Sequence, residues 1–147
     1  MNDWTPEMVE QRLVEAAAVL RRLPAVRVGG YFSTWPKMKV EFSDLVGQTP
    51  EPMRLPPPPA AAISRMEATL SWTIGLDPID AKIVWLRAGG ERWKTICWKV
   101  GLARATANRR WEYALCVMAW RLNRRPVPLK WSRRFLIDRM KFLSSDF

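Results

Sequence analysis

Apolar residues return every three or four positions along most of the chain. This is the spacing of one face of a helix and not the alternation of a strand. The first such run begins at Thr5-Pro6-Glu7, where a threonine can cap a helix and a proline suits its first turn. Pro24 ends the run, whose apolar positions are Val9, Leu13, Ala16, Ala17 and Leu20. A second helix is predicted over residues 36–46, before Gly47.

The same pattern predicts further helices after residue 59. They cover residues 60–73, a segment from Asp77-Pro78 to Gly89-Gly90, residues 92–99 and residues 104–123. Their apolar stripes are Ile63, Met66 and Leu70; Ile79, Ile83 and Leu86; Ile96, Cys97 and Val100; and Trp111, Ala114, Leu115, Met118 and Leu122. A C-terminal helix capped by Ser132 has an apolar side of Phe135, Leu136, Ile137, Met140 and Leu143. No segment keeps period two for long, so the predicted fold class is all-α.

A proline-rich stretch divides the chain. Six prolines lie between Gln48 and Ala60, four of them consecutive, and such a run favours a semi-rigid polyproline II spacer. A site for a proline-reading domain is the alternative. We therefore predict an N-terminal helical module (1–47), a Pro-rich linker (48–59), a helix-turn-helix domain (60–123) and a basic C-terminal tail or helix (124–147). The N-terminal module either binds a protein or packs onto the second half to complete a core.

Composition excludes several classes of protein. About half of the residues are apolar and nine are Trp, so global disorder is not expected. No apolar run approaches the roughly 20 residues of a membrane span, and the acidic, polar N-terminus is unlike a signal peptide. The two cysteines, Cys97 and Cys116, form no CxxC pair and histidine is absent, so neither a zinc site nor a cofactor is expected. We expect a reduced, cytoplasmic protein.

Catalytic motifs are also lacking. The sequence has no Gly-rich phosphate loop, no nucleophile elbow and no acidic metal cluster, so an enzyme is not predicted. Asp77 and Asp80 are explained as residues at the start of a helix and not as a catalytic carboxylate pair.

Charge is strongly segregated along the chain. Residues 1–50 carry six basic and six acidic residues, whereas the chain from Arg92 onward carries fourteen basic against three acidic. An excess of eleven positive charges in one part of the chain indicates a polyanionic partner, most simply double-stranded DNA. A merely solubilising surface is the alternative.

The segment from Trp93 to Leu115 fits a helix-turn-helix. Cys97 supplies a small inward residue, Gly101 a turn that tolerates positive φ, and Leu102 a hydrophobe at the corner, while Trp111 and Leu115 anchor the second helix. The residues left outside for base reading are Arg104, Ala105, Asn108 and Arg109, and those suited to phosphates are Arg92, Lys94, Thr95, Lys99 and Arg110. An ordinary helical hairpin with a solvated basic face is the alternative.

The C-terminal segment adds more positive charge. Its basic residues are Arg124, Arg125, Lys130, Arg133 and Arg134, with Arg139 and Lys141 further along the helix. This helix either contacts nucleic acid or a polymerase subunit, or it folds back on the core.

The segment "DPIDAKIVWLRAGGERWKTICWKVGLARATANRRWEYALCVMAWRL" resembles region 4 of bacterial sigma factors. Ile96-Cys97 matches the Ile-Ala pair of that pattern, Val100-Gly101 its Leu-Gly, Thr106-Ala107 its Thr-Val, and Arg110 its recurring arginine. Ala114 takes the small inward position of the second helix. The sequence departs from the pattern at Ala103, where a serine usually caps the second helix. The resemblance implies a DNA-binding helix-turn-helix.

Three stretches resemble a narrower group. "WTPEMVEQRLVEAAAVLRRLP", "GYFSTWP" and "RWEYALCVMAWRLN" are similar to small transcription regulators of bacterial prophages and gene transfer agents, of the GafZ antiterminator type. This resemblance implies a nucleoid-associated protein that binds RNA polymerase and lets it read through terminators. A simple activator of prophage genes, a small terminase-like DNA-packaging adaptor and a protein-binding module that never touches DNA remain alternatives. The oligomeric state is not predicted.

Overall fold

The computed structural model describes residues 3–23 and 56–145, which form six helices. These are α1 (Pro6–Arg22), α2 (Ala60–Trp72), α3 (Pro78–Ala88), α4 (Trp93–Val100), α5 (Arg104–Leu122) and α6 (Arg133–Ser145). No strand occurs within these two ranges, so the predicted all-α class is confirmed there. The helix predicted over residues 36–46 and most of the proline-rich linker lie outside the described residues.

Helix starts and stops follow the expected local chemistry. Thr5 Oγ1 accepts a hydrogen bond from the Met8 amide at 3.3 Å, and Asp77 Oδ1 accepts one from the Ile79 amide at 2.9 Å. Ser132 Oγ accepts in the same way from the Phe135 amide at 3.2 Å. Each cap satisfies an amide that has no partner within its own helix. The predicted caps are therefore confirmed, and they fix where three of the helices begin.

Helix α5 lies at the centre of the core. Its residues 114–120 are all buried, and seven consecutive residues cover every side of a helix. Helices α1, α3, α4 and α6 each contact it. The predicted stripe of Ala114, Leu115 and Met118 is buried as expected, but it is only part of a surface that is covered all round.

Helix α1 packs into the same core. Val9, Leu13 and Ala17 cluster with the buried residues of α5, while Ala16 and Val19 pack against α2. The Asn123 side chain accepts from the Trp4 amide at 2.6 Å and donates to the Trp4 carbonyl at 3.0 Å. The N-terminal module was predicted either to bind a protein or to pack onto the second half of the chain. Helix α1 does the second and completes the core.

Helix α6 folds back on α5. Leu136, Ile137 and Met140 are buried in the main core, as one of the two alternatives for this helix requires. Phe135, expected on the apolar side, is instead 48% exposed because it lies at the edge of the contact, against the ring of Trp131.

Two further inward positions were predicted wrongly. Leu20 is 38% exposed because Val19 takes the contact with α2 in its place. Ile79 is 41% exposed because the buried face of α3 is rotated onto Asp80, Ile83 and Val84. Among the described helices, none is long and apolar enough to cross a membrane.

Candidate nucleic-acid interface

Helices α4 and α5 are joined by three residues with a defined geometry. Gly101 has φ +70°, and the amides of Gly101 and Leu102 both donate to the Cys97 carbonyl, at 2.9 and 3.3 Å. This pattern closes a helix through a left-handed residue, for which glycine carries no steric penalty. A Cβ at Gly101 would meet no atom within 4 Å, so the backbone angle and not crowding favours glycine here.

A small apolar cluster holds this pair of helices together. Ile83 of α3, Ile96 of α4 and Ala107 of α5 are all 0% exposed and in contact. The half-buried residues packed around them are Leu86, Trp93, Cys97, Val100, Leu102 and Trp111. The inward positions predicted for the two helices therefore come together. Ala107 also fixes the face of α5 that points away from the cluster.

That outward face carries the predicted base-reading residues. Arg104, Ala105 and Arg109 are exposed and Asn108 is half-exposed, at the i, i+1, i+4 and i+5 spacing of one helix face. The side chains of Arg104, Asn108 and Arg109 make no hydrogen bond or ion pair with any other residue that the structure describes. The first two turns of α5 therefore present two guanidinium groups and one carboxamide to solvent.

Arg110 does not belong to this surface. Its Nη1 lies 3.2 Å from Asp80 Oδ1 and 3.6 Å from Asp77 Oδ1, and its side chain is 22% exposed. The Nε of Arg110 is buried without a hydrogen-bond partner among the described residues. The prediction that Arg110 contacts phosphate is therefore corrected, because its guanidinium is held between α3 and α5 by two carboxylates.

Asp80 is the partner that the sequence did not reveal. Its side chain is 3% exposed, and burial raises the pKa of Asp80 above the ordinary 3.8, against the lowering effects of Arg110 and Arg133. The sequence did contain a signal that Asp80 faces the core, because it precedes Ile83 by three positions and Val84 by four and so shares their helix face. An acid on such a face needs a partner, but only the packing of α3 on α5 identifies it.

The predicted phosphate-binding residues divide into two groups. Arg92 and Lys94 are exposed and have no ion pair within the described residues, and Thr95 is half-buried. Lys99 Nζ lies 3.4 Å from Glu91 Oε1, but both side chains are exposed, so the pair is weak. Arg92, Lys94 and Lys99 therefore remain accessible to an anion, although an anion would have to compete with Glu91 for Lys99.

The basic tail is also divided. Arg124, Lys130 and Arg134 are exposed. Arg125 lies 3.5 Å from Asp3 and over the ring of Trp120, and Arg133 lies over the ring of Tyr113. The structure therefore brings some tail cations into contacts within the protein and leaves others on its surface.

A cavity lined by glutamates, a lysine and apolar residues lies beside the basic face of α5. Glu112, one turn after Asn108, lines a cavity of about 140 Å³ between α1, α5 and α6 together with Glu7 and Glu10. Cys116 also lines it, and burial, with the charges of Glu112 and Glu7, raises the pKa of the Cys116 thiol to about 12. Glu112 therefore marks the end of the basic face that the first two turns of α5 present.

Comparison with known proteins assigns the chain to a family. Residues 21–118, two thirds of the chain, match the family described as a domain of unknown function, DUF6362. The chain belongs to the DUF6362 family. No curated protein and no solved structure matches it. The DUF6362 match takes in α2, α3, α4 and most of α5, whereas α6 and nearly all of α1 lie outside it.

Proposed function

We propose that this DUF6362 protein is a DNA-binding transcription regulator in which α4 and α5 act as a helix-turn-helix. The observation that carries the proposal is the start of α5, where Arg104, Asn108 and Arg109 point outward without partners among the described residues. Unpaired guanidinium and carboxamide groups on a rigid helix are suited to base edges in the major groove, which is wide enough to admit a helix.

The chemistry of the surrounding residues is consistent with this role. Arginine bonds guanine through two donors, and asparagine bonds adenine through one donor and one acceptor. Arg92, at the N-cap of α4, and Lys94, within α4, are free to contact phosphates, which set the register of a protein on DNA. Arg110 takes no part in binding, because its pairing with Asp80 instead stabilises the position of α5.

The test begins with selection of a preferred duplex from a random library by the full-length protein. On that duplex, Asn108→Ala or Arg109→Ala should cost about 1–3 kcal/mol of binding free energy, and far less on unrelated DNA. Arg121→Ala is the matched control, since Arg121 is exposed on the same helix about 18 Å further along its axis. Equal losses of binding free energy on both duplexes would mean that the two residues contact only phosphates. No loss on either duplex would contradict a DNA-binding helix-turn-helix.

Engagement of RNA polymerase and processive antitermination form the finer part of the proposal. Their support is the resemblance of residues 77–122 to sigma region 4, and of three stretches to regulators of prophages and gene transfer agents. The protein would bind near a promoter and remain with the polymerase as it passes a terminator.

In vitro transcription distinguishes the alternatives. The template carries the selected site upstream of an intrinsic terminator, and the full-length protein should raise readthrough while Arg109→Ala should not. Higher initiation with unchanged readthrough would indicate a simple activator. No change in either, with elution of the protein as a large ring, would favour a DNA-packaging adaptor.

A further inference from the structure

One tryptophan on α4 is exposed. Trp98 has 83% of its surface accessible, whereas every other tryptophan that the structure describes is buried or half-buried. Tryptophan is among the most buried residues on average, because its large ring loses much unfavourable contact with water on packing. The position of Trp98 is therefore not explained by the folding of the described core.

Trp98 lies on a helix that is firmly packed against the rest of the protein. Helix α4 is fixed by Ile96, which is fully buried, and by Trp93, whose ring meets Trp111 edge to face at 5.7 Å. Trp98 projects from the opposite side of this short helix. Only residues 101–103 separate α4 from α5, so Trp98 lies close in the chain to Arg104 and the proposed DNA-reading turns.

The surroundings of Trp98 are cationic and polar. Lys94 lies one turn earlier on the same face, Thr95 lies beside it, and Lys99 follows directly. Lys94 has no ion-pair partner among the described residues, while Lys99 shares its charge with Glu91. Among the described residues, α4 has no other large apolar side chain that is exposed.

An exposed indole among basic side chains favours a nucleotide over a protein as the ligand of this surface of α4. Aromatic hot spots of protein interfaces lie within closely packed patches from which water is excluded, whereas Trp98 stands alone among cations. An aromatic ring that stacks on a base, next to basic groups that contact the phosphates, is the usual arrangement for binding unpaired nucleic acid.

We propose that Trp98 stacks on an unpaired nucleobase while Lys94 contacts a neighbouring phosphate. The protein then binds a junction between duplex and single-stranded DNA, with α5 in the duplex and α4 against the first unpaired nucleotides. This inference rests on the proposed function, because α5 must hold a duplex beside α4.

The experiment compares two DNAs that share one short duplex carrying the selected site near one end. One DNA is blunt, and the other has about five unpaired nucleotides at that end, with 2-aminopurine at the first of them. Wild-type protein should bind the second DNA more tightly and quench the 2-aminopurine fluorescence. Trp98→Ala should abolish the quenching and weaken binding to the junction about 5- to 100-fold, with blunt-duplex affinity unchanged. Trp98→Phe should retain part of both effects.

Leu129→Ala serves as the control, since Leu129 is fully exposed on the surface but lies outside α4 and should change neither measurement. If Trp98→Ala binds both DNAs like wild type, the inference is overturned while the proposed function stands. The same holds if Trp98→Ala binds both DNAs like wild type but no longer raises readthrough in the in vitro transcription assay, because the indole then serves to bind a protein. If wild type binds neither DNA, the proposed function itself is overturned.

Discussion

The Asp80 carboxylate and the Arg110 guanidinium form the most buried ion pair that the structure describes. Taking both charges out of water is unfavourable, and the raised pKa of Asp80 shows that burial outweighs the attraction of Arg110 for this carboxyl. The pair nevertheless joins α3 to α5 at a defined point. Its contribution lies in the relative position of these helices, while Asp80 without Arg110 would be a buried carboxylate without a hydrogen-bond partner among the described residues.

Removal of one partner tests this account. Arg110→Ala should lower the free energy of unfolding by about 3 kcal/mol, because Asp80 is then left buried and unpaired. Arg109→Ala is the control at the adjacent position and should change stability little, since its side chain is exposed and unpaired among the described residues. Urea denaturation of the full-length variants measures both. Equal effects of the two substitutions would contradict the pairing.

The pKa of Asp80 gives a second prediction. Because the folded protein raises this pKa above 3.8, it binds the proton more tightly than the unfolded chain does. The stabilisation from this group is complete below pH 3.8 and is lost as the pH rises through the raised pKa. Relative to Asp80→Asn, wild type should therefore gain stability as the pH falls from 7 towards 4, by at most about 1.4 kcal/mol per pH unit. If wild type instead lost stability relative to Asp80→Asn as the pH fell, the attraction of Arg110 would dominate and the pKa of Asp80 would be lowered.

At the scale of the element, α5 starts without a side-chain cap. Ala103 occupies the cap position in an extended conformation, and its methyl group cannot accept a hydrogen bond from the first amides of the helix. Ala103 is also the position at which the sequence departs from the sigma region 4 pattern, which has a serine there. The helix start is held instead by Ala107 and by the corner around Gly101.

Restoring the cap should stabilise the protein. Ala103→Ser should raise the free energy of unfolding by about 1 kcal/mol, because the serine hydroxyl can accept from an unpaired amide of the first turn. Ala105→Ser is the matched control, exposed within the first turn, where serine should be neutral or slightly destabilising. Thermal and urea unfolding compare the two. Equal stabilities of the two variants would show that the amides of α5 are already satisfied.

Local signals in the sequence predicted the elements well, and contacts between elements poorly. Thr5, Asp77, Gly101 and Ser132 act through neighbours within a few residues, so their roles could be read directly. The partner of Arg110 could not be predicted, because it depends on which helices are adjacent. Periodicity likewise reveals one apolar stripe, so it missed that α5 is buried on every side from residue 114 to 120. At the candidate site, the outward face of α5 was predicted but the exposure of Trp98 was not.

At the scale of the whole molecule, α1 and the later helices share one core, so they should unfold together. Leu13→Ala should lower the free energy of unfolding by about 2–5 kcal/mol in a single transition, because Leu13 is 1% exposed in the cluster around α5. Val14→Ala, at the next position and 46% exposed, should have a small effect. Two separate transitions would instead indicate an independent N-terminal module.

The distribution of charge predicts how salt affects DNA binding. Deleting the segment after Asn123 would also remove the part of the core that α6 supplies, so the charges must be removed by substitution. Replacing Lys130, Arg134 and Arg139 with Gln should make binding less sensitive to salt. The slope of the logarithm of the binding constant against the logarithm of salt concentration should become shallower by about 0.9 for each phosphate that is no longer neutralised. The control replaces Arg12, Arg21 and Arg65, which lie on α1 and α2, for the same change in net charge. Equal slopes for the two triple variants would mean that these three residues of the basic tail do not contact DNA.

The hydrogen bonds between Arg22 and Pro56 have a consequence for the evolution of the chain. The Arg22 guanidinium donates to the Pro56 carbonyl at 2.8 and 3.1 Å, so positions 34 residues apart lie within reach of one side chain. One guanidinium therefore ties the last turn of α1 to the residues just before α2. A lysine at position 22 would keep the charge but not the two fixed donors, so a lineage that replaces Arg22 loses both bonds at once.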